Sequence, residues 1–399
     1  MRRWLIWICL LSGLVGAIVA GLARPQVSTN SPLSVAEISA PPAVVTPPPP
    51  TLPPLATDII QRYQPTLQNP PRGDVRLLVM SDLNDSYGVT DYLPEVKQAI
   101  ALIPFWQPDL ILVSGDMVAG QNLSLSLTQL QAMWQGFDTH ILSPIKSYGI
   151  PFAFTIGNHD ASSARSSSGG FIFDLERRIA TQYWLNPTHD LGVEYVDRQD
   201  FPFYYTFVNH GIFYVVWDGS SSSIPPDKQA WVEQALASPL AQSAPMRILI
   251  GHLPLYAVSQ GRDRPGEVMN NGDTWRQLFQ RYRVHTYISG HHHAYYPGQR
   301  GQLDLLHMGL LGSGPRTLLT GSRIGTGKNL TVIDIELTDP PITRYHTYEI
   351  PSLKEITNDQ LPRFLLGHNG LIRRRDIPAL TPDELTRCQQ ALGADRCEG

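Results

Sequence analysis

The sequence predicts an α/β fold, because short apolar runs of β-type residues alternate with helical stretches over most of the 399 residues. Five of these runs each end in a short polar block. The runs are VRLLVM at 75–80, LILVS at 110–114, FAFTI at 152–156, RILI at 247–250 and HTYIS at 285–289. The pattern predicts buried strands that present polar side chains at their carboxyl ends.

The five polar blocks contain carboxylates, amides and imidazoles. In chain order they are Ser81-Asp82-Leu83-Asn84, Gly115-Asp116, Gly157-Asn158-His159-Asp160, Gly251-His252 and Gly290-His291-His292-His293. The carboxyl ends of strands in an open α/β sheet form the edge where ligands bind. Acids, an amide and several imidazoles brought together there predict a binuclear metal site.

The remaining elements are predicted from periodicity and turn signals. Asn209-His210-Gly211 joins two strand-like runs, which predicts a hairpin. We expect helices near 92–103, within 123–142, and near 173–182, 226–237 and 274–281. We expect further strands at 203–208, 212–216, 303–308, 330–337 and 343–349.

The N-terminal segments differ in composition from the rest. Arg2 and Arg3 precede an uncharged, mostly apolar run, Trp4–Ala23, whose length suits either a cleaved signal peptide or an uncleaved signal anchor. Residues 1–23 are therefore expected to direct export to a periplasmic or other extracytoplasmic location, with 4–23 as a membrane tether if the segment is retained. The Pro-rich segment 24–56 predicts an extended linker. A folded domain is expected at 57–350.

The segment 351–399 is expected to form a tail with one short helix. Thr381-Pro382-Asp383-Glu384 has the form of a capping box with proline at the first helical position, which predicts a helix ending near Leu392. Cys388 and Cys397 fit a small disulfide clip in an exported protein, and two free thiols are the alternative.

The charge balance gives no indication of a nucleic-acid partner. The formal net charge is −4, so there is no basic surplus to neutralise phosphates along a nucleic acid. The chain also lacks a Gly-x-Ser-x-Gly nucleophile elbow and a P-loop. We therefore expect no nucleic-acid partner, and composition leaves the oligomeric state open.

The five polar blocks, in this order, resemble the calcineurin-like metallophosphoesterase family, which is related to the purple acid phosphatases. That family's pattern reads Asp-x-His, Gly-Asp, Gly-Asn-His-Asp/Glu, Gly-His and Gly-His-x-His, and the resemblance covers roughly residues 74–345. It implies a four-layer α/β/β/α sandwich of two mixed sheets. Together with the apolar N-terminus, it implies an exported bacterial member of the family.

The resemblance also implies two divalent metal ions, from among Mn, Fe and Zn, and a phosphoester substrate. Its implied first-site ligands are Asp82, Asp116 and His293, and its second-site ligands are Asp116, Asn158, His252 and His291. A hydroxide between two close cations is the implied nucleophile. His159 is implied as the group that stabilises charge or protonates the leaving oxygen, with Asp160 orienting its ring.

Asn84 is where this sequence departs from the family pattern, which has histidine at that position. An amide oxygen favours Mn, Mg or Fe(II) over zinc. Asn84 is a candidate ligand of the first metal, and Asp85 and Tyr87 lie close enough in sequence to substitute for it.

Two other functions compete with metal-dependent hydrolysis. A binding protein with a degenerate first site would hold metal or phosphate without turnover, and Asn84 is the feature that favours it. An exported nuclease would need a basic groove with stacking aromatic rings, for which the candidates are Tyr204, Tyr205, Tyr295 and Tyr296. Arg165 with Ser166–Gly170 is a candidate substrate rim, with a plain surface loop as the alternative, and Gly312–Pro315 is expected near the metals.

Overall fold

The computed structural model describes residues 52–63 and 67–397. Its strands are β1 (Val75–Met80), β2 (Leu110–Val113), β3 (Phe152–Phe154), β4 (Glu194–Asp200), β5 (Tyr204–Asn209), β6 (Ile212–Val216), β7 (Arg247–Ile250), β8 (Thr286–Ser289), β9 (Tyr296–Arg300), β10 (Leu303–His307), β11 (Asn329–Glu336), β12 (Ile342–Glu349), β13 (Glu355–Ile356), β14 (Phe364–Gly367) and β15 (Gly370–Arg374).

The helices alternate with these strands, as the sequence predicts. They are α1 (Pro54–Tyr63), α2 (Pro94–Trp106), α3 (Leu127–Phe137), α4 (Ser143–Ser147), α5 (Asn158–Ala161), α6 (Asp174–Trp184), α7 (Pro226–Ala237), α8 (Pro239–Ser243), α9 (Gly272–Arg281) and α10 (Pro382–Leu392). A π-helical turn at Asp138–Leu142 links α3 to α4.

The strands form two mixed sheets. The first has the order β13-β12-β11-β1-β2-β3, and the second has the order β14-β15-β9-β10-β8-β7-β6-β5-β4. The first contains the parallel segment β1-β2-β3, which has antiparallel strands on the β1 side only, because β3 is the edge strand. The second contains the parallel segment β6-β7-β8-β10, which has antiparallel strands on both sides. Every residue of these parallel strands is buried, which explains why they read as continuous apolar runs.

The two sheets share one hydrophobic core, and helices cover their outer faces. On the first sheet, Trp184 of α6 stacks on Phe154 of β3 with ring centroids 3.9 Å apart. On the second sheet, Trp275 of α9 packs edge-on against Trp217, 4.7 Å away, just after β6. The four-layer α/β/β/α sandwich of two mixed sheets is therefore confirmed.

The predicted hairpin, late strands and C-terminal helix are also confirmed. Thr381 caps α10 in a capping box with Glu384, and Cys388 is disulfide-bonded to Cys397. The tail also contains strands that were not predicted, because β14 and β15 form a hairpin that joins the second sheet through β9. Helix α1 begins at Pro54, ahead of the expected start at residue 57.

The N-terminal predictions lie outside the described residues. These include residues 1–23 as signal peptide or anchor and most of the 24–56 linker. Within the described part of the chain, no helix is both long and apolar enough to cross a membrane. The division into segments 57–350 and 351–399 stays a prediction.

Candidate metal centre

The five polar blocks lie at the ends of five parallel strands, and each sheet supplies one kind of ligand. Strands β1, β2 and β3 of the first sheet lead into Asp82, Asp116 and Asn158, which we call the oxygen half. Strands β7 and β8 of the second sheet lead into the imidazoles of the second group, which we call the imidazole half. Its members are His252, His291 and His293.

The two halves meet at a buried centre. Ligand atoms of Asp82, Asp116 and His252 lie within 4.8 Å of one another. His252 Nε2 lies 2.9 Å from Asn158 Oδ1 and 3.3 Å from Asp116 Oδ2, and His291 Nδ1 lies 2.8 Å from the same Asn158 oxygen. The structure thus brings these five side chains together as the sequence predicts.

Backbone strain is concentrated at the same residues. Asp82, Asp116, His291 and His293 have φ angles of 50°, 56°, 64° and 52°, in the left-handed region that non-glycine residues rarely adopt. Such conformations cost roughly 1–3 kcal/mol each and persist at functional sites where the surroundings impose them. At Gly290, a Cβ would meet the Asp82 carboxylate, so the absence of a side chain there permits the close approach of the two halves.

Asp160 fixes the backbone of the oxygen half. Its Oδ1 accepts the N–H groups of Met117 (2.7 Å) and Val118 (2.9 Å). Its Oδ2 accepts those of Asp116 (2.9 Å) and Gly157 (2.8 Å). Four donors on one buried carboxylate tie the β2 loop to the β3 loop, which positions Asp116 beside Asn158.

The expected role of Asp160 in orienting the His159 ring is wrong. Both Asp160 oxygens are occupied by backbone N–H groups, and His159 Nδ1 instead lies 3.1 Å from the carbonyl oxygen of Gly120. The His159 backbone N–H donates to Asp116 Oδ1 at 2.8 Å. A backbone carbonyl therefore orients this ring, and Asp160 acts one step away as a positioning residue.

Backbone carbonyls also orient two imidazoles of the second sheet. His252 Nδ1 lies 2.8 Å from Ser114 O, and His293 Nδ1 lies 2.8 Å from Gly314 O. A neutral ring that donates from Nδ1 directs the lone pair of Nε2 toward the centre, as in known metal sites. The contact with Gly314 also confirms that the Gly312–Pro315 loop lies near the site.

One contact at the centre shows that the residues fit a cation. His293 Nε2 and Asp82 Oδ1 are 3.1 Å apart, yet the geometry is not that of a hydrogen bond. Both atoms are buried and have no hydrogen-bond partner among the described residues. Buried polar atoms without partners are costly, and a shared divalent cation would satisfy both.

The electrostatics of the centre also favour added positive charge. Burial lowers the pKa of His252, but the Asp116 carboxylate and then Asp82 outweigh it and raise the pKa to about 9, so without metal the ring carries a proton that a bound cation would displace. Burial raises the pKa of Asp116, but the charges of His252 and His159 lower it by more. The net pKa lies below its ordinary value, so the carboxylate stays ionised. Burial, and next the charge of Arg262, hold the pKa of His291 well below its ordinary value, which leaves a neutral ring able to bind metal.

Asn84 is buried near this centre, but its contacts leave its role as a ligand a prediction. Its backbone N–H donates to Asp116 O at 3.3 Å, and its carbonyl accepts from Ser313 N at 3.0 Å. Its side chain forms no hydrogen bond with another described residue. Of the two substitutes considered for it, Tyr87 is 58% exposed and its ring lies 5.5 Å from that of His159.

A cavity of about 340 Å³ opens over the centre. Asn158, His159 and His291 line it, together with Tyr87. The predicted rim at Arg165 does not line this cavity; its guanidinium bonds Gly169 O and covers the Phe171 ring. The four tyrosines considered as stacking platforms are at most 6% exposed, so none offers a free ring face; they are Tyr204, Tyr205, Tyr295 and Tyr296.

Several residues of the site were not predicted. Gln121 Oε1 accepts from Asn158 Nδ2 at 2.7 Å, which leaves the Asn158 oxygen directed at the imidazoles. Arg262 Nη1 lies against the His291 ring, and Arg316 lines the cavity. In the sequence, the charged segment Gly261–Glu267 after the Gly-His block could have indicated Arg262. Gln121 and Arg316 belong to no recognisable motif.

This chain is similar in sequence or in fold to several known phosphatases. A curated relative, "Probable purple acid phosphatase 20" of Arabidopsis thaliana, is 22% identical over 273 residues, covering 68% of this chain and 56% of the relative. The solved purple acid phosphatase from yellow lupin (Lupinus luteus) seeds is similar with a TM-score of 0.50 and 14% identity. That similarity covers 72% of this chain and 54% of the lupin chain.

A dimetal phosphatase from Danio rerio is also similar, at 11% identity with a TM-score of 0.43, covering 71% of this chain and 98% of that one. This chain spans little more than half the length of the two purple acid phosphatases, so their activities do not transfer directly. The family model for calcineurin-like phosphoesterases matches residues 75–295, more than half of the sequence. Those residues include every strand that carries a candidate ligand, and the chain is accordingly a member of the calcineurin-like phosphoesterase family.

Proposed function

We propose that this protein is a metal-dependent phosphoester hydrolase with a binuclear centre that acts outside the cytoplasm. The observation that carries the proposal is the meeting of the oxygen and imidazole halves, with Asp82 Oδ1 and His293 Nε2 facing each other without a hydrogen bond. The family membership supports hydrolysis, and the donor set supports divalent cations.

The residues that would hold the two metals divide between the sheets. The first metal would be held by Asp82, Asp116 and His293, with Asn84 as a further proposed ligand. The second would be held by the shared Asp116 together with Asn158, His252 and His291. Two bound divalent cations would offset the charge of the phosphate group and lower the pKa of bound water.

His159 is the residue placed to handle a proton on the substrate. It lines the cavity over the centre, and its Nδ1 is held at 3.1 Å by Gly120 O. As an imidazolium with Nδ1–H bound to that carbonyl, the ring would have its second proton on Nε2, from which it could protonate a leaving oxygen. We therefore propose His159 as the general acid, and Asp160 as the carboxylate that positions its loop.

Two features support action outside the cytoplasm. The Cys388–Cys397 disulfide closes the tail, and such bonds persist in oxidising compartments. The apolar run Trp4–Ala23 has the composition of an export signal or membrane tether. We propose a phosphoester substrate and no nucleic-acid partner; the net charge of −4 and the buried tyrosines disfavour a nuclease.

The test uses the full chain, purified without a tag and depleted of metal. We expect hydrolysis of p-nitrophenyl phosphate or bis-p-nitrophenyl phosphate only after Mn²⁺ is added. His159→Ala is expected to lower kcat by roughly 10²–10⁴-fold with unchanged metal content, since it removes an acid and no ligand. His210→Ala, at an exposed turn, is the matched control and should behave as wild type.

The outcomes separate the competing functions. Metal and phosphate binding without turnover of either ester would favour the binding protein with a degenerate first site. Turnover that survives His159→Ala would remove that residue from the mechanism while leaving the metal centre in place.

A further inference from the structure

Three arginines line the cavity over the metal centre and are not explained by metal binding. Arg262 and Arg264 come from the loop after β7, and Arg316 comes from the loop after β10. Metal ligands are acids, amides and imidazoles, so guanidinium groups at the same cavity point to an anionic ligand instead.

The charges of the three arginines are not balanced by protein carboxylates. Glu267 accepts from Arg262 Nη1 at 3.1 Å and from Arg264 Nη2 at 2.9 Å, so one carboxylate serves two guanidinium groups. Arg316 forms no ion pair and no side-chain hydrogen bond with another described residue. The cavity therefore holds surplus positive charge, centred on Arg316.

Two arginines that line this cavity each have a buried Nε–H group without a partner. Arg316 Nε and Arg262 Nε are both inaccessible to water and form no hydrogen bond among the described residues. A buried N–H of a charged group is costly to leave unpaired. Burial, and next the charge of Arg262, lower the pKa of Arg316, which is the direction expected for a partly buried cation that is not paired with an anion.

The two guanidinium groups occupy different places in the cavity. Arg262 Nη1 lies 2.9 Å from His291 Nδ1, directly against a proposed metal ligand. Arg316 lies instead over the loop backbone, where a Cβ at Gly261 would be 3.1 Å from its Nη1. Arg262 therefore lies beside a proposed metal ligand, where it can contact a phosphate held at the centre, and we expect Arg316 to contact a neighbouring group of the same substrate.

We propose that Arg316, with Arg262, forms an anion subsite that binds a second phosphoryl group of the substrate beside the scissile one. The substrate class is then a diphosphate ester or phosphoanhydride, not a phosphoester with a single anionic group. The cavity volume, about 340 Å³, lies in the range of small-molecule sites. The assignment of the bound diphosphate as a substrate rests on the proposed hydrolase function.

The first test compares two substrates in full-length protein supplied with Mn²⁺. For Arg316→Ala we expect kcat/KM for inorganic pyrophosphate to fall about 10–150-fold, the effect of losing hydrogen bonds to a charged group. We expect kcat/KM for p-nitrophenyl phosphate, which has one phosphoryl group, to fall by much less. Arg323→Ala, an exposed arginine in the same loop, is the matched control and should change neither.

The second test measures binding without turnover. By calorimetry at fixed free Mn²⁺, wild type should bind methylenediphosphonate more tightly than methylphosphonate, and Arg316→Ala should lose that preference. Arg316→Lys keeps the charge but not the planar guanidinium, so it should retain part of the preference for methylenediphosphonate. Retained binding in this variant would also show that the site still folds.

Equal losses on both substrates, or no preference for the diphosphonate in wild type, would overturn the subsite. If no ester is turned over while the Arg316-dependent preference remains, the proposed hydrolase function fails and the anion subsite stands.

Discussion

The oxygen half and the imidazole half of the centre are held in place by opposite kinds of hydrogen bond. In the oxygen half, backbone N–H groups of two loops donate into one side chain, Asp160. In the imidazole half, side chains bond outward to backbone carbonyls, as His252 does to Ser114 O. The first half therefore depends on one buried carboxylate, whereas the second depends on several separate contacts.

The imidazole half has one exception to this difference, His292, which lies between two proposed ligands without being one. Its Nδ1 accepts the N–H groups of Val258 (3.2 Å) and Ser259 (3.3 Å), and its Nε2 bonds Glu267 O at 3.0 Å. Burial holds the pKa of His292 well below its ordinary value, so the ring is neutral. A neutral imidazole has one nitrogen that accepts and one that donates, as these contacts require. It secures the loop that carries Arg262, and it is the nearest counterpart of Asp160 in the second sheet.

Asp160→Asn is the substitution expected to break the oxygen half most severely. The amide can still accept two N–H groups, but its own NH₂ would face the other two, those of Asp116 and Gly157. At about 1–3 kcal/mol for each buried donor left unpaired, the free energy of unfolding should fall by roughly 2–6 kcal/mol. We also expect metal affinity to fall about 10–100-fold, the usual effect of losing a residue that positions ligands.

Urea unfolding and metal titration of the full chain would measure both effects. Asp174→Asn is the matched control, because that carboxylate is exposed and, within the described part of the chain, its side chain pairs only with Arg178. The control should shift stability by less than about 0.5 kcal/mol. A variant at Asp160 that unfolds and binds metal like wild type would show that the four hydrogen bonds do not position Asp116.

His292→Asn should have a smaller effect, confined to the imidazole half. The amide oxygen can replace Nδ1 as the acceptor for Val258 and Ser259, so only the bond from Nε2 to Glu267 O is lost, and we expect a loss of about 1–3 kcal/mol. Amide hydrogen exchange should accelerate in residues 258–267, while the segment around Asp116 stays protected. Equal acceleration in both segments would mean that the two halves form one cooperative unit and that the distinction between them fails.

The parts of this molecule that follow from sequence are those set by buried periodicity and by local motifs. Continuous apolar runs predicted β1 and β7 because strands buried on both faces have no polar alternation. The polar edge strand β4, with its register shifts, and β9, which contains Pro297-Gly298, give no such pattern. Their pairing is fixed by neighbouring strands and not by their own composition.

The candidate site shows the same division. Its candidate ligands were predicted because each lies within a few residues of the end of a buried strand, so the order of the strands brings them to one edge. The Asp160 hydrogen bonds and the arginines of the cavity depend on how loops distant in sequence pack together, as in the 44-residue separation between Asp160 and Asp116. The pattern of blocks therefore predicts which residues meet, whereas the contacts that orient them require the folded structure.

Asn84→His tests whether the oxygen half contains a further ligand of the first metal, and it carries the smallest expected effect. Asn84 is buried and its side chain has no hydrogen bond to lose among the described residues, so the change should cost little stability. An imidazole binds zinc better than an amide oxygen does, so zinc affinity should rise by about 10-fold, with a smaller change for Mn²⁺. Competitive titration of the two metals measures that shift in preference. Because the substitution moves a nitrogen donor into the half that otherwise supplies oxygens, an unchanged preference would mean that the Asn84 side chain does not bind metal, and that the first metal relies on Asp82, Asp116 and His293 alone.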